Sequence, residues 1–457
     1  MFVVSLSPAN RTRVTENAAD ERQGPIATLL QRLATASVPL DELEEEIVGV
    51  DESIEHSAAF WYAMQQLARQ GTIAIDIVSA HRCVARVMGI LPTLTPPLPT
   101  DSLLRLSRFT TLRPSEACFL VESPHSAGIM TLFSPEAFVL FHKLARGIPF
   151  ENLIAESKEM LEPDVIVDLV QSLAAMGVFG QGSEPGDGAL EQWEHHDALM
   201  HAHSRGGRQL TFPAGTYRFR GVRPPEPALK PRSSLSSIYL PDVDEPPDIA
   251  VLRRLTTTRR SIRRYGAKPI RSAEIGTFLR LTGRIYRVEP MDVARGKLYE
   301  TEKRGYPGGG GCHELEIYLV VHRCDGLAPG VYWYDGYHDK LSLLKPPHQA
   351  SDRLLSGAAQ SMGQAYPNVP DVLICIGARF GRVNWKYEGL AYAVILKDAG
   401  VLLELMDLTA TALGLGACIV GRGHALDFLE ATGNQAFEEE SVGEFALGSL
   451  PEDDAHG

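Results

Sequence analysis

Arg259-Arg260-Ser261-Ile262-Arg263-Arg264-Tyr265 is the stretch that decides the fold, because it places three arginines and a hydroxyl within positions 259–263. A guanidinium group can bind a phosphate at two points, and a serine hydroxyl adds another donor. Arginines are also common at helix C-termini for dipole reasons, so the run alone is weak evidence. Together with two later segments, it predicts an anion cradle formed by Arg259, Arg260, Ser261 and Arg263.

The two later segments flank a long apolar stretch. Trp385-Lys386-Tyr387-Glu388-Gly389 precedes it, and Leu413-Gly414-Leu415-Gly416-Ala417-Cys418 follows it. A Gly-Leu-Gly element lets a backbone approach a flat ligand because no Cβ stands in the way. The Lys-Tyr pair offers a proton donor and acceptor side by side. The order of the three segments predicts a site for a planar cofactor that carries a phosphate.

Composition limits the class of protein. A length of 457 residues predicts two or three domains. The formal net charge of −13 argues against a nucleic-acid binder, and the basic patch at 253–264 suits a phosphate better than a duplex. The first residues lack the apolar core of a signal peptide, and no uncharged apolar run reaches membrane-spanning length. These features predict a cytoplasmic protein that does not act at a membrane.

The six cysteines, at positions 83, 118, 312, 324, 375 and 418, are scattered and form no CxxC motif. This spacing is typical of reduced thiols rather than of a zinc ribbon or a disulfide framework. Four histidines at 195, 196, 201 and 203 suggest a metal site, but no carboxylate or cysteine set accompanies them at tetrahedral spacing. The prediction is therefore solvated histidines and no metal.

Periodicity and breaks predict an α+β chain of five segments. Residues 1–23 are predicted to be flexible. Residues 24–95 show helix, helix and strand in the order of a winged helix, and residues 100–180, beyond a proline-rich break, suggest a second such module. Residues 181–247 suggest an extended linker, and residues 248–457 form the domain that holds the cofactor motifs.

Within the last segment, strands are predicted at 315–321 and 372–378, with a hairpin over 330–344. Residues 387–413 suggest one long helix, with leucines and alanines around its whole circumference. Such a helix should be buried on most sides, which suggests that a second subunit shares it. The sequence therefore predicts a homodimer.

Residues 250–450 resemble the nitroreductase superfamily of flavin enzymes, a homodimeric α+β fold that holds FMN at the subunit interface. The Arg-Arg-Ser-x-Arg run is similar to the superfamily's FMN phosphate and ribityl motif, and the Gly-Leu-Gly element is similar to its flavin-side turn. The resemblance implies FMN contacts from Leu415 and Gly416 in addition to the cradle. Arg422, just after Gly421, is a further candidate phosphate contact.

Two further features resemble the azoline dehydrogenases of ribosomal peptide biosynthesis, of the streptolysin and microcin type. One is residues 304–311, which run into Glu314-Leu-Glu-Ile-Tyr-Leu-Val-Val321, and the other is Lys386-Tyr387. The tandem N-terminal modules and the segment from Trp193 to Arg205 are also similar to that group. The candidate loop over the flavin consists of Pro307, Gly308, Gly309 and Gly310.

This loop departs from the family pattern. Gly308 stands where a serine is common, and His313 stands where an aromatic residue is common. The departure puts in doubt a hydrogen bond from the loop to the flavin. A purely flexible turn is the other interpretation of the glycine run.

The resemblance implies FMN-dependent oxidation of thiazolines or oxazolines in a ribosomally made precursor peptide, beside a cyclodehydratase, with reoxidation of the flavin by O2. This chemistry removes two electrons and two protons: a base takes the Cα proton while a hydride leaves Cβ. Tyr387 is the candidate base, with the Lys386 cation stabilising its phenolate. The roles could be reversed, and the structural interpretation of the pair is a solvated helix start.

Two alternative functions of the chain and one alternative role of its winged modules stay open. The chain could reduce nitro, quinone or dehydroamino-acid substrates with NAD(P)H, or it could be a non-catalytic peptide-binding scaffold. The winged modules lack basic recognition helices, so we expect them to bind a leader peptide by strand addition rather than DNA. A spacer role is the remaining interpretation of these modules.

Overall fold

The computed structural model describes residues 2–7, 25–48, 54–115, 118–125, 128–180, 188–207, 246–365 and 367–451, with scattered positions between 217 and 240. The chain divides into two compact units. The first unit contains residues 1–211 and 384–392, and the second contains residues 212–383 and 393–457. Lys386 and Tyr387 therefore lie in a short segment that belongs to the first unit.

A seven-stranded antiparallel sheet forms the centre of the first unit, in the order β2-β1-β3-β4-β8-β7-β6. Its strands are β1 (Phe2–Leu6), β2 (Val38–Pro39), β3 (Ile73–Ser79), β4 (Arg82–Met88), β6 (Thr111–Ser115), β7 (Cys118–Glu122) and β8 (Ile129–Leu132). The two-residue strands β5 (Leu103–Leu104) and β9 (Ile148–Pro149) pair separately. Because β4 pairs with β8, the strands of the two predicted modules form one sheet over one hydrophobic core.

The helices of the first unit are α1 (Pro25–Thr35), α2 (Leu40–Val48), α3 (Ile54–Arg69), α4 (Pro135–Arg146), α5 (Phe150–Ser157), α6 (Pro163–Ala175) and α7 (His195–Ser204). Both halves show helices beside a strand hairpin, and the winged-helix interpretation stays a prediction. Ser134 caps α4, since its hydroxyl accepts the N–H of Ala137 at 3.0 Å.

Two stretches differ from the sequence-based expectation. Phe2–Leu6 within the predicted flexible N-terminus is a strand between β2 and β3, because its alternate side chains enter the core; residues 8–24 lie outside the described residues. The predicted linker contains α7, in which Asp197, Ala198, His201 and Ala202 are buried. A polar helix can be buried here because its side chains find hydrogen-bond partners within the unit.

The second unit is built on a six-stranded antiparallel sheet in the order β14-β13-β12-β15-β17-β16. Its strands are β12 (Leu315–Val321), β13 (Gly330–Asp335), β14 (Lys340–Lys345), β15 (Val372–Arg379), β16 (Leu415–Val420) and β17 (Glu439–Ser449), with a separate pair β10 (Arg287–Glu289) and β11 (Thr301–Lys303). The predicted strands at 315–321 and 372–378 and the hairpin are confirmed.

The helices of the second unit are α8 (Pro247–Thr258), α9 (Ser272–Thr282), α10 (Gln349–Ser361), the short α11 (Gly381–Asn384), α12 (Ala391–Ala412) and α13 (Ala425–Thr432). The first two residues of α12 are grouped with the first unit. The helix begins at Ala391 rather than at Tyr387, so the Lys-Tyr pair precedes it in a loop.

The predicted burial of α12 on most sides is only partly met within this chain. One face is buried, but Lys397, Gly400, Val401 and Glu404 are exposed. Helix α8 has no buried residue and exposes Ile249, Val251 and Leu252. Apolar side chains on two helices are therefore accessible in the single chain.

Among the helices that the structure describes, none combines the length and the apolar character that a bilayer crossing requires.

Candidate functional site

The arginine run continues directly from the end of α8. Arg259 is the C-cap of that helix, and the chain then extends beside β16, where the N–H of Ile262 donates to the Ala417 carbonyl at 2.7 Å. Ile262 is buried, whereas Ser261 and Arg263 on either side are exposed. Extended backbone turns successive side chains to opposite sides, so anchoring Ile262 presents the hydroxyl and a guanidinium together.

Gly416 allows this anchoring. A Cβ at this position would lie 3.0 Å from Ile262 Cγ2 and 3.2 Å from the Ser449 carbonyl oxygen. The described space beside Gly416 is thus filled by the arginine run itself, and Leu415 is buried. A flavin contact from Leu415 and Gly416 stays a prediction, while the close packing of Ile262 against Gly416 is a finding.

Arg259 has a partner within the unit. Its Nη1 donates to Asp407 Oδ2 of α12 at 3.1 Å, and the Asp407 side chain is only 4% exposed. Burial raises the pKa of Asp407, and Arg259 opposes that shift. This ion pair orients the guanidinium at the start of the run. The other candidate cations differ in setting: Arg260 and Arg263 are exposed, and Arg422 is half-buried two residues beyond β16.

The donor set fits a phosphate. An exposed hydroxyl and exposed guanidinium groups within one short extended segment are the groups that bind phosphate oxygens. Arg259, Arg260, Ser261 and Arg263 would hold the phosphate end of an FMN molecule.

Single substitutions should separate the roles of two arginines. Arg263→Ala should weaken FMN binding about 10- to 150-fold and leave the melting temperature of the apoprotein unchanged, since the loss of one charge-assisted hydrogen bond costs roughly 1.5–3 kcal/mol. Arg259→Ala should weaken FMN binding and also lower the melting temperature, because Asp407 loses its cation. Titration by flavin fluorescence and thermal denaturation check both. Unchanged FMN affinity in Arg263→Ala would count against the cradle.

The glycine loop is fixed against α12. The N–H of Gly309 donates to Asp398 Oδ2 at 2.6 Å, and a Cβ at Gly309 would lie 2.2 Å from Val394 Cγ1. Tyr299 adds a second anchor, with its hydroxyl donating to the Gly310 carbonyl at 2.6 Å. The loop is therefore held in place at two points, so the interpretation as a purely flexible turn does not fit.

His313 and Glu314 lie directly behind this loop. His313 is buried with a φ of 45°, and a Cβ on Gly308 would lie 2.8 Å from its Nδ1. Glu314 is fully buried, and neither of its carboxylate oxygens has a hydrogen-bond partner among the residues that the structure describes. Burial raises the pKa of Glu314 to about 7, and the Asp398 carboxylate adds to this shift. Burial lowers the pKa of His313 to about 4.

These shifts have opposite consequences for stability. The raised pKa of Glu314 gives a contribution that is complete below its ordinary value of 4.5 and is lost as pH rises through about 7. The lowered pKa of His313 gives a contribution that is present above its ordinary 6.5 and is lost as pH falls through about 4.

Glu314→Gln removes the contribution of the Glu314 carboxyl group to stability and keeps the contribution of His313. The melting temperature of the variant relative to the wild type should therefore rise between pH 5 and pH 8, because only the wild type must ionise a buried carboxyl. Thermal denaturation across that range checks the slope. A difference that stays constant with pH would show that Glu314 does not titrate there.

Lys386 and Tyr387 are half-buried in the loop that precedes α12. Lys386 Nζ lies 5.0 Å from the centroid of the Tyr387 ring, which is a cation–π distance. The ammonium group therefore lies over the ring of the neighbouring tyrosine. The assignment of either residue as a base stays a prediction.

The four histidines of α7 do not form a metal centre. His195 contacts Thr111, His196 contacts the Gly389 carbonyl, His201 contacts Tyr392 and His203 contacts Glu122. Within the described ranges, no cluster of three or more His, Cys, Asp or Glu side chains is arranged to hold a metal ion. The prediction of solvated histidines is wrong for His201, which is 0% exposed.

Sequence reasoning missed Asp398, Asp407 and Glu314. The two aspartates lie within the long apolar helix, where a charged residue among leucines was the available signal. Glu314 stands in the sequence only as the residue before a predicted strand, and nothing there indicates that its carboxylate is buried.

Family models match two parts of the chain. Residues 256–449 match the nitroreductase family, and residues 104–210 match the cyanobactin oxidase ThcOx. Among curated proteins, a "putative nitroreductase" of Methanocaldococcus jannaschii is 27% identical over 187 residues, which are 40% of this chain and 83% of that protein. Residues 256–449 are therefore a nitroreductase-family domain, a class that generally binds FMN. The two models together identify the chain as an oxidoreductase.

Solved structures to which the chain is similar include two putative nitroreductases and a microcin synthetase complex. A Ralstonia eutropha protein is 20% identical, with coverage of 50% of this chain and 97% of its own, at a TM-score of 0.34. The Escherichia coli microcin synthetase McbBCD complex with truncated pro-MccB17 bound has 15% identity, coverage of 57% and 96%, and a TM-score of 0.41. An Anabaena variabilis protein has 21% identity and a TM-score of 0.33, and the match spans 39% of this chain but only 35% of that one.

Proposed function

We propose that this chain is an FMN-dependent dehydrogenase that oxidises azolines to azoles in a ribosomally made precursor peptide. The observation that carries the proposal is that one chain contains both matches, the cyanobactin oxidase model at 104–210 and the nitroreductase model at 256–449. The first model describes a cyanobactin oxidase, and the second describes a family whose members generally bind FMN.

The chain's own residues would divide the work. Bound FMN would supply the acceptor for the hydride that leaves the azoline Cβ. The cradle at 259–263 would fix the phosphate end of the cofactor, with Arg422 as an additional candidate. The glycine loop, anchored by Asp398, would lie along the flavin through backbone groups alone.

Lys386 and Tyr387 would transfer the proton. One of the two would take the proton from the azoline Cα, and Lys386 Nζ lies 5.0 Å from the centroid of the Tyr387 ring. The other residue of the pair would stay in the opposite protonation state. This division needs both side chains close together, and their contact supports it.

The substrate implies partners. A cyclodehydratase of the same pathway would form the azolines, and the precursor leader would add as a strand to the first unit. Since β4 pairs with β8, the strands of the two predicted modules share one sheet, and β6 is the edge strand on the side of the second predicted module. We therefore propose β6 as the docking edge for the leader. A label attached to β6 would test this assignment, because a leader peptide that docks there should compete with the label for this edge.

A homodimer would cover the accessible apolar side chains. Helix α8 has no buried residue in this chain, and α12 exposes Val401 on its open face. Pairing of two chains through these helices would remove that surface from water. Sedimentation of the purified protein tests this proposal, and a monomer at micromolar concentration would reject it.

The first test of the proposed function is the visible spectrum and the mass of any cofactor that denaturation releases. A yellow protein that releases FMN supports the proposal, and a colourless protein that cannot be reconstituted supports the scaffold alternative. Rapid bleaching by NADPH would instead favour the nitro, quinone or dehydroamino-acid reductase, which the curated nitroreductase relative makes the second candidate.

A further inference from the structure

Helix α7 binds the segment 384–392 at three points. The N–H of Tyr392 donates to Asp197 Oδ2 at 3.2 Å. His196 Nε2 lies 3.1 Å from the Gly389 carbonyl, and His201 Nδ1 lies 3.0 Å from the Tyr392 hydroxyl. All of these groups belong to the first unit. One helix therefore fixes the C-terminal half of the short segment that contains Lys386 and Tyr387.

The contacts at Tyr392 are almost fully excluded from water. Tyr392 is 2% exposed, His201 is 0% exposed and Asp197 is 6% exposed. The His201 ring lies 5.7 Å from the Trp193 ring and 5.3 Å from the Tyr392 ring. Ser204 Oγ also contacts the Tyr392 hydroxyl, at 3.1 Å. Buried polar groups that lose a partner keep their desolvation cost, so each contact resists opening of the segment.

Asp197 also determines where α12 begins. Its carboxylate accepts an N–H in the first turn of that helix, where a negative charge is favoured by the helix dipole. Gly389, three residues earlier, has a φ of 72°, a backbone conformation that glycine adopts without strain. The loop that carries Lys386 and Tyr387 thus leads into the capped first turn of α12.

The helix α7 is itself fixed to the sheet. His195 Nε2 lies 3.0 Å from Thr111 Oγ1 of β6, and His203 Nε2 lies 3.1 Å from Glu122 Oε2 of β7. Two histidines therefore face the sheet while His196 and His201 face the segment. The contacts of α7 to the sheet and its contacts to the segment thus come from different histidines.

We propose that Asp197 and His201 are positioning residues that hold the segment 384–392 so that Lys386 and Tyr387 keep one orientation. The inference rests on the proposed function for the role of the Lys-Tyr pair, although the holding of the segment does not depend on it. Neither Asp197 nor His201 touches substrate in this role. Their loss changes the geometry of proton transfer rather than the binding of FMN.

The test compares variants of α7 in the full-length protein loaded with FMN. Asp197→Ala and His201→Leu should speed hydrogen exchange of the amides in 384–392 and lower kcat about 100-fold, since small misplacements of catalytic groups are that costly. KM and FMN content should stay within about twofold of the wild type, because peptide and cofactor contact other residues. His201→Asn, which keeps a nitrogen near the Nδ1 position, should restore most of the rate.

His203→Asn is the matched control, because it changes the same residue type on the same helix but faces Glu122. It should leave segment exchange and kcat unchanged. If the variants at 197 and 201 fail to fold, Tyr392→Phe removes only the hydroxyl and should still speed exchange of the segment. Equal exchange in wild type, His201→Leu and Tyr392→Phe would overturn the proposal, as would an equal effect of His203→Asn.

Failure of the proposed function would be recognised separately. If the wild type with bound FMN forms no azole, the assignment of the reaction falls. The exchange measurement is still decisive in that case, because it compares folded variants without substrate. Faster exchange in His201→Leu but not in His203→Asn supports the holding role, and its absence rejects it.

Discussion

Replacing Lys386 by alanine and Tyr387 by phenylalanine together should abolish azole formation while FMN stays bound. Loss of general acid–base assistance typically lowers a rate by about 10²- to 10⁴-fold. The cradle at 259–263 and the glycine loop are untouched by these changes. The measurement is single-turnover conversion of an azoline peptide, with flavin absorbance as the check on cofactor content.

Glu388→Gln is the control for this pair, because Glu388 is exposed in the same loop and has no assigned role. It should keep the wild-type rate. The single variants then divide the roles: the residue whose loss costs more is the base. A double variant that still forms azoles at the wild-type rate would remove both residues from the mechanism.

Gly309→Ala should destabilise the second unit and impair the loop. The added Cβ would stand 2.2 Å from Val394 Cγ1, so either the loop or α12 must move, and the hydrogen bond to Asp398 would be lost. Overpacking of this kind costs on the order of 1–3 kcal/mol, which lowers a melting temperature by roughly 3–10 °C in a unit of this size. We also expect reduced FMN retention, which absorbance after gel filtration measures.

Two further variants make this result specific. Gly357→Ala changes a glycine in α10 beside which a Cβ meets no atom within 4 Å, so it should be neutral or slightly stabilising. Gly309→Ala with Val394→Ala removes the collision and should recover part of the lost stability. A Gly309→Ala protein with wild-type melting temperature and FMN content would contradict the account of the loop.

Periodicity was sufficient for the central elements of the second unit. β12 and β15 are short apolar runs in a sheet buried on both faces, and the hairpin of β13 and β14 alternates around a turn, so local pattern determines them. Motif order then located the nitroreductase domain. Those predictions depend on residues close together in sequence.

The parts that could not be predicted depend on long-range partners. Helix α12 begins at Ala391 because Asp197, almost two hundred positions earlier, caps its first turn. α7 has a buried face because its histidines find partners on β6, on β7 and at the start of α12. Composition gave that stretch the appearance of a polar linker, since no local pattern reports such partners.

The motif residues also combine features that follow from local sequence with features that depend on distant partners. The exposure of Ser261 and Arg263 follows from local alternation around Ile262, but the small space for a side chain at 416 comes from the packing of Ile262 against β16. The ion pair between Arg259 and Asp407 joins residues that are 148 positions apart in the sequence. Sequence identified the residues of the cradle, and tertiary structure shows how they are fixed.

The most direct test of the central claim is the mass of a synthetic azoline peptide with its leader after incubation with the FMN-loaded protein in air. The account predicts loss of the mass of two hydrogen atoms per ring and consumption of oxygen, without added NAD(P)H. An unchanged peptide mass, from a protein that holds FMN and binds the leader, would contradict it.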